Sequence, residues 1–100
     1  MTDLEFLKEF SHRFNLDNNT FIQSGNYSVD YGFLLRDAED KDKGYIQFEF
    51  EKETGKFIGG TPYFSQEPDE EGLEEKLQAL DYDLTLNAIE FLVDKLRNNF

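Results

Sequence analysis

The sequence predicts an α+β fold: an N-terminal helix, a three-stranded antiparallel meander, and one short and one long C-terminal helix packed on one face of the sheet. Three observations carry this expectation. Apolar residues recur at helical spacing near both ends of the chain, they alternate with a period of two in the middle, and the alternating runs are joined by short connections. The 100 residues suit one α+β domain, 1–100, because two separate cores would each be too small to hold together unaided. Charged residues make up 32% of the chain, a level that disorder would tolerate. Eleven Phe and five Tyr argue for a packed core instead.

Thr2-Asp3-Leu4-Glu5 is a capping box, in which the Thr2 hydroxyl accepts from the Glu5 amide and the Glu5 carboxylate reaches back. Leu4, Leu7, Phe10 and Phe14 follow at helical spacing, with Phe6 widening the stripe and Glu9 and Arg13 forming an i,i+4 pair. This helix is expected to stop near Asn15, before the turn-rich Asp17-Asn18-Asn19. Tyr27, Val29, Tyr31, Phe33 and Leu35 then alternate with Ser28, Asp30, Gly32, Leu34 and Arg36, which predicts a strand. Phe21-Ile22 supports a further short strand only weakly.

Residues 37–44 are charged enough to read as a connecting loop. In the next strand Ile46, Phe48 and Phe50 face one way and Gln47, Glu49 and Glu51 the other. Glu53-Thr54-Gly55-Lys56 suits a tight hairpin leading to a third strand over 56–59, which Gly59-Gly60-Thr61-Pro62 is expected to end or kink. Tyr63 and Phe64 extend it along an edge at most. Asp69 is placed to cap a short helix carrying Leu73, Leu77 and Leu80, which Gly72 weakens. Tyr82, Leu86, Ile89, Leu92, Val93, Leu96 and Phe100 share one face of the last helix, with Asp83 as its cap and Lys95 and Arg97 near its end.

The chain has no cysteine, so disulfides and thiolate metal sites are excluded. Its first residues are acidic where a signal peptide is basic, and no apolar run is long enough to span a membrane, so a cytoplasmic location is expected. A net charge of −12 repels nucleic acid and anionic lipid. The expected partner is therefore a protein with a basic surface; direct nucleic-acid binding, membrane binding and a cofactor are not expected.

Catalytic chemistry finds little to work with. His12, the one histidine, lies opposite Leu7, Phe10 and Phe14 on the helical wheel and points to solvent, away from any nucleophile it could activate. Paired carboxylates are abundant but need a cleft that separates their environments. Asp40, Asp42 and Glu51 match positions one, three and twelve of an EF-hand loop, yet Gly44 falls at the wrong place and strand patterns flank the run. Gly59-Gly60 lacks the spacing and lysine of a phosphate loop. No catalytic, cofactor or metal residue is expected, and the chain is not expected to be an enzyme.

Two surfaces qualify for partner binding. The first is the acidic run over 67–83, where Glu67, Asp69, Glu70, Glu71, Glu74, Glu75, Asp81 and Asp83 stand against Lys76 alone. Leucines tether it, so it is expected to be an ordered face, with carboxylates standing in for phosphate oxygens in a basic groove. The second is apolar. Leu84 and Phe91 form a ridge off the main stripe of the last helix, and Tyr45, Leu34 and Ile58 suggest a partly apolar outer sheet face. Size, acidity and element order resemble, at the level of architecture only, immunity proteins that neutralise nuclease toxins and inhibitors that mimic DNA. The expected function is thus an inhibitor or immunity-type protein that occupies a basic, nucleic-acid-binding site on a partner. The alternative is a structural or adaptor module that homodimerises or binds through its apolar helix or sheet surface.

Overall fold

Thr2 opens the first helix through its hydroxyl, which accepts the Glu5 N–H at 3.1 Å. In the computed structural model, which describes residues 1–36, 39–65, 71–79 and 86–98, this helix, α1, spans Asp3–Arg13. Leu7 and Phe10 are buried, while Glu9 and Arg13 pair at 3.4 Å on the outer side. Asn15 takes a φ of 59°, a left-handed turn that asparagine tolerates, and the chain folds back so that Leu16 enters the core.

Four strands follow where three are expected: β1 Thr20–Ser24, β2 Ser28–Arg36, β3 Asp42–Glu51 and β4 Phe57–Phe64. They form one antiparallel meander in the order β1-β2-β3-β4. The additional strand is β1. Its sequence signal is weak because it is held by pairing with β2 more than by burial, and Ile22 is 52% exposed. Two strand limits also differ from expectation. β3 begins at Asp42, inside the charged stretch read as loop, because Arg36 pairs with Asp42 across a bulge. β4 runs straight through Gly59-Gly60-Thr61-Pro62. It is an edge strand, where proline is tolerated, and Gly60 packs flat against the Phe48 ring.

The helices α2 Leu73–Ala79 and α3 Leu86–Asn98 complete the described chain. The expected caps Asp69 and Asp83, and Leu80, Tyr82 and Phe100, lie outside the described residues. One face of the sheet presents Tyr31, Phe33 and Leu35 from β2 and Ile46, Phe48 and Phe50 from β3. Leu7 and Phe10 of α1, Leu73 and Leu77 of α2, and Leu92 and Val93 of α3 close over them in a single buried cluster. Each such side chain contributes roughly 1.5–3 kcal/mol by leaving water.

A second tie fixes α1. Leu4 donates its N–H to the Gly55 carbonyl at 3.0 Å, and the Asp3 carboxylate accepts the Phe57 N–H at 2.8 Å. Gly55 makes this possible twice over. Its φ of 70° turns the β3–β4 connection, and a Cβ there would meet the Thr2 side chain at 2.7 Å. Among the described residues, no helix is long and apolar enough to cross a membrane.

Candidate functional site

Strand geometry sends alternate side chains to opposite faces, so a buried inner face dictates an outer one. On β2 and β3 the outer positions are Asp30, Gly32, Leu34 and Arg36, and Tyr45, Gln47 and Glu49; β1 adds Phe21, and β4 adds Thr61 and Tyr63. All three helices join the core from the other side, and no described helix lies over this face.

The face is organised around aromatic rings. Gly32 has no side chain, and the Phe21 ring lies across it; a Cβ on Gly32 would fall 2.1 Å from the tip of that ring. Phe21 then meets Tyr45 edge-on, with centroids 5.7 Å apart, and Tyr45 stacks on Tyr63 at 5.3 Å. The row crosses the sheet from β1 to β4, with Leu34 half-buried beside Tyr45. Tyr63 remains 54% exposed.

Carboxylates flank the row on one side. Asp30 stands directly opposite Glu49, a like-charged cross-strand pair that weakens the sheet. Asp30 Oδ1 is enclosed and has no hydrogen-bond partner among the described residues. Glu51 follows on the same side, where its carboxylate accepts the Thr54 hydroxyl at 3.1 Å. Beside Glu49, the side-chain-free Gly59 and Gly60 leave a shallow depression of about 150 Å³ that Gln47 and Thr61 also line. The opposite end carries Arg36, whose guanidinium lies 3.7 Å from Asp40. The Phe21 ring over Gly32 stands one same-face step from Asp30, whereas Glu49 is two such steps from Tyr45 along β3. An aromatic ring next to a carboxylate suits a guanidinium, which stacks on the one and bonds the other.

The other sequence candidates fall elsewhere. The His12 side chain is 85% exposed and contacts Asp17 at 3.1 Å, on the outside of the α1 turn. Asp42 and Glu51 open and close the ten-residue β3, so they sit roughly 30 Å apart and cannot share an ion with Asp40. Among the described residues, no group of three or more acids or histidines is placed to hold a metal. Gly59-Gly60 lies within β4.

Of the acidic run, Glu71 and Glu75 are exposed, and the α2 backbone carries Glu74; Glu67, Asp69, Glu70, Asp81 and Asp83 lie outside the described residues. α2 is anchored by Leu73 and Leu77 in the helical layer, across the sheet from Tyr45. Leu84 lies outside the described residues. Phe91 is half-buried against the core, with the Lys95 ammonium 5.5 Å above its ring. Ile58, at the bulge between β3 and β4, is 54% exposed.

Sequence reasoning singles out Tyr45 and Leu34 but misses Phe21, Tyr63, Asp30 and Glu49. The available signal is Gly32, a glycine inside a strand of bulky residues, which marks the close approach of another group. No family model matches the chain, and neither a curated protein nor a solved structure is significantly similar to it.

Proposed function

We propose that this chain is an acidic protein-binding domain of the inhibitor or immunity type, which occupies a basic site on a partner protein through the outer face of its sheet. One observation carries the reading: a face that no described helix covers holds both the Phe21–Tyr45–Tyr63 row and the Asp30–Glu49 pair. Aromatic rings supply contact area at little conformational cost, and the carboxylates select arginine or lysine. The domain acts by occupying that site, not by chemistry of its own. With a net charge of −12, encounter with a basic partner is steered from a distance, whichever surface makes the final contact.

The aromatic row also favours a second reading, an adaptor that docks by apolar contact alone. A capture experiment from the native host, eluted first at low and then at high salt, separates the two. An inhibitor of a basic site releases its partner as salt rises, whereas an apolar adaptor retains it. Tyr63→Ala and Glu49→Lys should each reduce capture, while Glu75→Gln on the opposite side should not. Capture lost with Glu75→Gln and kept with Tyr63→Ala would move the site to the acidic helix and overturn the assignment of the sheet face.

A further inference from the structure

A four-stranded meander has two edges, and the described residues protect only one of them. β4 carries Pro62, a bulge that displaces Ile58, and the flanking helix α2. These are devices that keep an edge from pairing with another chain. β1 has none. Thr20-Phe21-Ile22-Gln23-Ser24 contains no proline and no charge, and it pairs with β2 without a register shift. It lies within residues 18–29, the longest run without a charged side chain in the sequence.

The open edge also has its backbone groups in place. Gly25 donates its N–H to the Ser28 carbonyl at 2.8 Å, so that pair bonds inward. Antiparallel pairs alternate, which turns Phe21 and Gln23 toward β2 and aims the N–H and C=O of Thr20, Ile22 and Ser24 outward. The Thr20 N–H is taken by the Asp17 carbonyl. The amide and carbonyl of Ile22 and of Ser24, and the Thr20 carbonyl, have no hydrogen-bond partner among the described residues.

We infer that β1 is the pairing edge of a homodimer, in which a second copy of this chain adds its own β1 antiparallel across a two-fold axis at Ile22. The strand is chemically self-complementary about that residue, with small hydroxyl side chains at both ends. The axis sets Ile22 against Ile22 of the second copy, exchanging both backbone bonds, and brings each Ser24 N–H to the other copy's Thr20 carbonyl. Charge selects the same place. Two chains of net −12 repel each other over most of their surface, and the uncharged β1 is where they approach at least cost. Pairing covers the half-exposed Ile22 and makes one sheet across both copies, joining their aromatic faces.

Sedimentation velocity on the full chain, over low to high micromolar concentration and at low and high salt, tests this. A monomer–dimer equilibrium that tightens with salt is expected. Ile22→Lys and Ile22→Glu, at an exposed position that leaves the core intact, should each give folded monomers by circular dichroism. Mixing the two should restore a heterodimer by opposing the charges. Ile58→Lys, at an exposed position on the opposite edge strand, should dimerise like the parent. A monomer under every condition overturns the inference, as does a dimer that survives Ile22→Lys. The test is independent of the partner reading, because a monomer can still capture a basic protein through its sheet face.

Discussion

Asp30 is the residue at which stability and the proposed use of the outer sheet face pull apart. It faces Glu49 on the neighbouring strand and keeps one carboxylate oxygen enclosed without a partner among the described residues. Removing its charge should relieve the repulsion and leave a neutral amide where an enclosed carboxylate stood, a smaller desolvation cost. Asp30→Asn is expected to raise stability by about 0.5–1 kcal/mol, seen as a higher urea midpoint at unchanged slope, while weakening capture of a basic partner. A lower midpoint would refute the account of this pair. Gly32 makes the complementary case. Gly32→Ala places a methyl where the Phe21 ring lies, so the ring must leave Tyr45. A cost of about 1–3 kcal/mol is expected, with loss of the cross-ring contact in nuclear Overhauser spectra; an unmoved ring would contradict the packing described. Features at this scale differ in how readily the sequence reveals them. The Thr2 cap and the Glu9–Arg13 pair are legible because their partners lie within one helical turn. Phe21 over Gly32 is not, since it depends on a strand register that no local pattern specifies.

Among the elements, α1, β2 and β3 are legible because each alternates or cycles strongly over its own length. β4 is harder. Its Gly-Gly-Thr-Pro run reads as a strand end by local rules, yet pairing with β3 and the Phe48 ring under Gly60 supply what local propensity lacks. α2 depends on context even more. Seven residues are too few for an autonomous helix, so packing must hold it. Leu77 is fully buried in the shared core, and Leu77→Ala should cost roughly 2–5 kcal/mol. Hydrogen exchange at α2 amides should accelerate more than at β2 or β3. Equal acceleration everywhere would mean that α2 does not open separately.

Across the whole molecule, acidity is easy to read and its proposed working location is not. Composition gives the sign of the charge, but only the sheet register places Asp30 and Glu49 beside an aromatic row. A net charge of −12 on a small domain also implies self-repulsion that salt relieves. The thermal midpoint should therefore rise by several degrees between low and moderate sodium chloride, by calorimetry, before any specific-ion effect; a midpoint that falls over this range would count against it. One long-range bond bears on the order of folding. The Asp3 carboxylate and the Phe57 amide that it accepts are 54 positions apart. As the chain emerges from a ribosome, the first helix is made long before the turn that receives it. Its row of phenylalanines has to wait, unburied, while the hairpins beside it close over only a few residues each. The sheet can thus assemble from its own turns before α1, made ahead of it, docks across it.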